Sequence, residues 1–353
     1  MQESNESKTI IRSNGKIQFF GLKHFLEDIA KGDCCFICGA HPELKEFNNE
    51  HIIPDWILKK FKLHSQKISL PNDTKISYSQ YKVPCCVDCN SELGKKYEKP
   101  ISNLLSKSYS EITKSLKNDK NIIRLLFVWI NLIYFKTHLK DKNLLENRDT
   151  RKGSSYIGDR HYWEDMHHIH CISRSHYTDA KIHEDVYGSL FIFPIIKLND
   201  KEEFDYIDSS NGKTVMLQLG EFCIITVLND SCAGLSVISD QVNQITGALS
   251  PLQVREIVSH LNFVNMNLKE RPIFKSKISY KGEYEIIAER PKTWFLLDEK
   301  DRVCTPGQFL RFYAERLIGE IDNRELILKE IEEGKRSYMF NEKGEFNDYS
   351  KEQ

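Results

Sequence analysis

Three observations place this chain in the α+β class: two C-x2-C motifs about fifty residues apart that frame short helical and strand-like runs, a following block of helical periodicity, and a C-terminal stretch of β-prone runs with two well-capped helices. A chain of 353 residues is long enough for two domains, each with its own core. The expected division is an N-terminal module at 1–110, a helical linker at 111–150, and a mainly antiparallel α+β domain at 151–353.

Composition narrows the function classes. A formal charge of -1 supplies no global field that would draw the chain to nucleic acid or to an anionic membrane, so any such contact must come from a local patch. The start, "MQESNESKTIIRSNGK", lacks the basic and apolar segments of a secretory signal, which leads us to expect a cytoplasmic protein with no membrane partner. The most apolar run, Ile122 to Phe135, is shorter than the roughly 20 residues of a spanning helix and carries Arg124 and Asn131; it reads as a buried helix.

Six of the ten cysteines fall in "CCFICGA" and "CCVDCNSELG". In a chain of this kind thiols are expected to stay reduced, and the C-x2-C spacing lets two thiolates on one tight turn reach the same ion. Cys35 with Cys38 and Cys86 with Cys89 therefore form a candidate structural zinc quartet. Cys34 and Cys85 offer a ligand choice shifted by one residue, but the x2 spacing favours the named pairs and leaves the extra thiols as small buried apolar groups.

Between the pairs, Glu50 and His51 lie twelve residues after Cys38. Pro54 then opens a short helix, "PDWILKKFKL", whose Lys59, Lys60 and Lys62 face outward and suit either solvent or a phosphate backbone. "KISLPNDTKISYSQYKVP" reads as a hairpin turning at Pro71, Asn72 and Asp73. After Cys89, Asn90 and Ser91 are expected to cap a helix that Gly94 and Pro100 divide, with Lys95 and Lys96 near its start.

This order of residues, a C-x2-C pair, an acid-histidine dipeptide ahead of Ile-Pro, and a second C-x2-C with Asn after its last Cys, resembles the zinc-bearing HNH endonucleases over about residues 30–105. The resemblance implies a ββα-metal fold with a structural Zn2+ and a separate catalytic Mg2+ or Mn2+, acting on DNA. Such modules occur in bacterial defence against foreign DNA and in mobile elements. On this pattern His51 is the general base that takes a proton from the attacking water, and Glu50 and Asn90 are ligands of the catalytic ion. A hard cation prefers the oxygens that Glu50 and Asn90 provide, and an imidazole titrating near neutrality suits the base. The pattern's middle Asn has no match, since Tyr81 and Lys82 stand there; either Gln80 or Ser79 substitutes for it or the loop is held differently, and Glu98 is a reserve third ligand. The alternative is a non-catalytic zinc-stapled module for nucleic-acid binding or regulation, which would need none of Glu50, His51 and Asn90.

Beyond residue 100, Ile101 to Leu116 and Ile122 to Leu139 have helical periods, and the charged stretch Lys140 to Ser155 marks the expected boundary. Strand-like runs follow, among them "VYGSLFIFPII", "KTVMLQLG", "EFCIITVL", "GLSVIS" and "YEIIAER". Ser250 with Pro251 and Thr305 with Pro306 start two helices, the second running through Glu333, and a polar tail from Asn341 is expected to be partly disordered. His168 and His170 would share one strand face with Cys171 on the other; with no second C-x2-C or H-x3-H, the six histidines from His161 to His183 read as core and surface groups. The C-terminal domain has no legible chemistry. Target selection, homo-oligomerisation, or control by an activating partner or ligand are the roles expected of it.

Overall fold

The computed structural model describes residues 8–196 and 204–352; residues 1–7, at the start of the polar N-terminal stretch, lie outside the described residues. The chain forms two compact units, Met1–His183 with Phe274–Ile287 and Glu184–Ile273 with Ala288–Gln353. The division falls at His183/Glu184 rather than in 140–155. Residues 111–150 are not a linker, because their helices form part of the first unit's core.

In the first unit, β1 (Phe47–His51) leads through α1 (Asp55–Lys60) to the hairpin of β2 (Lys67–Ser69) and β3 (Lys75–Ser77), then to β4 (Lys82–Cys86). The hairpin forms where expected, with Asp73 left-handed at φ 60° and Leu70 N bonded to Thr74 O at 2.8 Å. β1 and β4 pair antiparallel from Phe47↔Cys86 to His51↔Lys82. α2 (Val87–Leu93) follows directly, with Cys86 as its N-cap residue. The helix thus begins one turn before Ser91, because the strand delivers the chain in extended geometry at Cys86 (φ -68°, ψ 146°). Gly94 does not break it. Gly94–Glu98 continues as a wider π turn into α3 (Lys99–Leu105), and Pro100, with no N–H to give, is accommodated just after that turn.

α4 (Tyr109–Asn118) is held by a capping box between Ser108 and Glu111, and α5 (Lys120–Asp141) starts where Asp119 accepts the Asn121 N–H. α5 has 22 residues, longer than its apolar run suggests, and is long and apolar enough by length and composition to cross a membrane; most of its apolar stretch is buried inside the protein. Its polar side chains are spent internally, with Asn131 donating to Phe127 O at 2.9 Å and Thr137 to Ile133 O at 3.0 Å. Lys136, 2% exposed, gives its ammonium to Glu50 Oε1 at 2.8 Å and to His51 O at 2.7 Å. The histidine-rich segment is a helix, α6 (His167–Ser173), not a strand. Tertiary bonds select the helix: His167 Nε2 meets Phe20 O at 2.8 Å and His170 Nε2 meets Phe36 O at 2.9 Å. Residues 274–287 return to this unit, where Glu285 and Ile286 pair in parallel with Lys181 and Ile182.

The second unit is built on an antiparallel sheet of β5 (Leu190–Pro194), β6 (Phe204–Ser209), β7 (Thr214–Leu219) and β8 (Phe222–Val227), in the order β5-β8-β7-β6. "GLSVIS" is not a strand; it forms α7 (Ala233–Val237), whose first turn is fixed by Asp230 Oδ2 accepting Gly234 N–H at 2.7 Å. α8 (Pro251–Met266) starts with the capping box of Ser250 and Gln253 and packs on the sheet around Met216, Ile225, Val258 and Leu261. The second capped segment splits into α9 (Pro306–Ala314) and α10 (Arg324–Glu332), with Asn323 left-handed at φ 62° between them. Gly307 lets these two helices close, since a Cβ there would lie 2.4 Å from Ile331 O. The start of the polar tail packs on the second unit. Gln253 Nε2 donates to Tyr338 O at 3.1 Å and Asn347 O at 2.7 Å, and Phe346 packs on the core.

Replacing Lys136 with Met strands the Glu50 carboxylate in the interior without a cation, at an expected cost of about 3–5 kcal/mol. Urea unfolding of Lys136→Met followed by tryptophan fluorescence measures this, and adding Glu50→Gln should recover most of the loss.

Candidate metal centre and neighbouring Glu-His site

The sulfurs of Cys35, Cys38, Cys86 and Cys89 lie within 4.8 Å of one another, and all four residues are buried. Two elements position them. The first pair sits on a turn in which Cys35 N donates to Ala40 O at 2.9 Å and Gly39 N to Cys35 O at 2.8 Å. Gly39 is left-handed at φ 77°, and a Cβ there would strike the Phe20 ring at 2.5 Å. The second pair straddles the first turn of α2, whose N-terminal N–H groups favour thiolate.

The spacing fits zinc. Tetrahedral Zn–S bonds of about 2.3 Å place neighbouring sulfurs about 3.8 Å apart, and Cys38 and Cys86 are 3.6 Å apart. Without a cation the thiols compete for one charge: hydrogen bonds from Cys38, Cys85 and Cys89 pull the Cys35 thiol far down, and the Cys35 thiolate in turn pushes Cys89 far up. A divalent cation removes that conflict by accepting all four as thiolates. Cys85, adjacent to Cys86 on β4, is buried with its sulfur 3.8 Å from that of Cys35, outside the quartet.

α6 braces this centre in a way the sequence did not reveal. His170 holds Phe36 O, and Arg174 Nε donates to Ile37 O at 2.5 Å, so both carbonyls between Cys35 and Cys38 are fixed from one side. Arg174 is 2% exposed and lies 4.6 Å over the Phe20 ring, bringing a positive charge close to a centre of net negative charge. Among the described residues the histidines of this segment form no cluster of three metal-ligating groups.

The ladder carries the chain from the thiols at Phe47↔Cys86 to Glu50 and His51 at its other end, roughly 14 Å away at about 3.4 Å per residue. Asn90 donates through Nδ2 to Asn48 Oδ1 at 2.7 Å, and strand alternation puts Asn48 and Glu50 on the same face. Glu50 and Asn90 therefore share a face, and each keeps an oxygen with no hydrogen-bond partner among the described residues. His51, on the opposite pleat, makes no side-chain hydrogen bond among the described residues. Burial and then Lys82 lower its proton affinity, with Asp55 opposing. Its imidazole is thus neutral at neutral pH, with a lone pair to offer.

Of the two alternatives for the middle Asn, the loop is held differently rather than by a substitute side chain. Ser79 bonds Ser77, and neither Ser79 nor Gln80 holds the His51 loop. Tyr81 and Lys82 themselves do so through the backbone, with Ile52 N donating to Tyr81 O at 3.1 Å and His51 pairing with Lys82, while the Tyr81 hydroxyl anchors on Asp141 Oδ1 at 3.0 Å. Glu98 is not an open third ligand. The π turn carries it to two indoles, Trp56 Nε1 donating to Oε2 at 3.1 Å and Trp129 Nε1 to Oε1 at 3.2 Å. Burial, with Glu50 adding and Lys136 opposing, pushes its carboxyl up to about 7.

The five lysines lie on the surface. Lys59 pairs with Asp55 at 2.5 Å and Lys95 with Glu92 at 3.3 Å; Lys60 reaches Leu105 O at 3.4 Å, and Lys62 and Lys96 are exposed. The sequence signal for Lys136 was present but unread: a lysine inside an apolar helix must find a buried partner.

Cys86→Ser should lose bound metal and the cooperative unfolding of the first unit, read by elemental analysis and melting; unchanged metal content and melting would remove Cys86 from the centre. Glu98 generates a second test. Its folded pKa lies above the ordinary carboxylate value, so its stabilising contribution is complete below about 4.5 and lost as pH rises through 7. The melting temperature of the native chain should therefore fall relative to that of Glu98→Gln between about pH 5 and about pH 8; parallel curves would contradict this. Comparison of this chain with protein-family models, with curated proteins and with solved structures finds no match.

Proposed function

We propose that the first unit is a metal-dependent endonuclease of HNH type, with a structural zinc in the Cys35/Cys38/Cys86/Cys89 quartet, hydrolysing phosphodiester bonds in DNA. The observation that carries this reading is the β1-β4-α2 arrangement, a hairpin-helix clamped by four thiols at one end and bearing Glu50 and His51 at the other. The order of elements is that expected of a ββα-metal module. A purely structural zinc clamp would not require a neutral, unbonded histidine next to a buried acid.

The chemistry assigns work to each residue. His51 accepts the proton of the attacking water, a task its lowered proton affinity and free ring suit. Glu50 and Asn90 are the residues that would hold a magnesium or manganese ion, through the oxygens they keep on the shared face. When bound, that ion supplies charge stabilisation at the phosphate and leaving oxygen. Lys136 is a positioning residue: its bonds to Glu50 Oε1 and His51 O hold the dipeptide from within. Lys59, Lys60, Lys62, Lys95 and Lys96 are exposed cations available to the DNA backbone. Bacterial defence or a mobile element is the setting this reading suggests.

One observation favours a second reading. The Glu50–Lys136 ion pair already satisfies part of the carboxylate from inside the protein, as in a non-catalytic zinc-stapled module. Cleavage of supercoiled and linear DNA with magnesium or manganese separates the two. The native chain should cut, and His51→Ala should cut about 10²–10⁴-fold more slowly while keeping its metal content and melting temperature. An equally active variant removes His51 from the mechanism, and DNA binding without cutting by the native chain favours the second reading.

A further inference from the structure

The second unit contains a cavity of about 510 Å³ between α8, α9, α10 and the segment 337–340. Its walls are mainly aliphatic, including Ile238, Val242, Ile245, Ile257, Leu310 and Met339. That volume lies within the range of small-molecule sites, about 300–1,000 Å³.

The charged groups around it are already matched. Glu256 accepts from Ser337 Oγ at 2.7 Å, Tyr338 N at 2.6 Å and Met339 N at 3.1 Å. Glu332 pairs with Arg311 at 2.6 Å, Glu333 with Lys335 at 2.6 Å, and Arg336 with Glu330 at 2.7 Å. A charged ligand would have to break one of these pairs or remain unpaired against an apolar wall, and both are costly. Two polar side chains on the wall remain without a hydrogen bond among the described residues, the exposed Gln241 and the more enclosed His260. His260 lines the cavity and makes no hydrogen bond among the described residues. Burial holds its imidazole neutral against the opposing pull of Glu256, so it offers one N–H and one lone pair.

We propose that this cavity binds a neutral, mainly apolar small molecule that directs a single hydrogen-bonding group at His260. The pairing of the surrounding charges selects against nucleotides, phosphates and carboxylates. This inference is independent of the nuclease reading.

The test titrates the full chain with N-phenyl-1-naphthylamine, a neutral apolar fluorophore. Saturable one-site enhancement is expected, displaced by decan-1-ol and not by decanoate or adenosine monophosphate. Ile245→Trp, which fills the cavity from a half-buried position, should abolish saturable binding with circular dichroism and melting retained; Val242→Trp serves if that variant fails to fold. His260→Phe should bind the fluorophore but weaken decan-1-ol about tenfold, the loss of one hydrogen bond. Absence of saturable binding, displacement by decanoate or the nucleotide as effective as by decan-1-ol, or undiminished binding in the filled variants would overturn the proposal.

Discussion

Four thiol groups within 4.8 Å of one another in a buried space are arranged as a tetrahedral cation site would need them, and as four thiolates they would require a positive ion among them. The rest of the first unit depends on this constraint. The β1–β4 ribbon has two strands and five residue pairs, too little to hold its register in water by itself. Tying Cys86 and Cys89 to a turn some fifty residues earlier in the chain fixes one end of the ribbon. The register then follows pair by pair to His51↔Lys82. The His170 and Arg174 bonds to the first turn keep that anchor from rotating.

The other end is fixed electrostatically. Lys136 has almost no solvent contact, and its Nζ is received by Glu50 and the His51 carbonyl. Glu98, held by two indoles nearby, adds a second carboxyl to the same neighbourhood, and burial keeps it protonated into the neutral range. Protonated Glu98 leaves one anion and one cation in balance, whereas its ionisation leaves an excess negative charge. A ribbon anchored by the four-cysteine cluster at one end and by a matched ion pair at the other has little freedom to shift.

Local chemistry was legible in the sequence, and long-range partnership was not. The cysteine spacing, the Asn72–Asp73 turn and the Ser250 and Thr305 caps are decided within a few residues, and each appears where the sequence places it. α6 was misread because alternating His and Cys satisfies a strand face; bonds to Phe20 and Phe36, more than a hundred residues away, decide for helix. The helix expected to run from Pro306 ends at Ala314, and a separate helix, α10, starts after the left-handed Asn323. Lys136 and Glu50 are separated by 86 positions, and no periodicity links them. The π turn that sends Glu98 toward the indoles leaves no mark in the residue pattern beyond Gly94 and Pro100.

The return of residues 274–287 to the first unit makes both units discontinuous, the second being built from 184–273 together with 288–353. The chain leaves the first unit after His183 and re-enters it at Phe274, so the strand contact of Glu285 and Ile286 with Lys181 and Ile182 closes a loop of about a hundred residues. Such closure is entropically cheap only when the intervening segment is already compact, because its ends then come together with the fold. Biosynthesis is therefore ordered: the first unit cannot be completed on the ribosome until Ile287 has emerged, and a chain stopped anywhere before it leaves the Lys181–Ile182 edge unpaired. That connectivity delays completion of the first unit until most of the chain has been made.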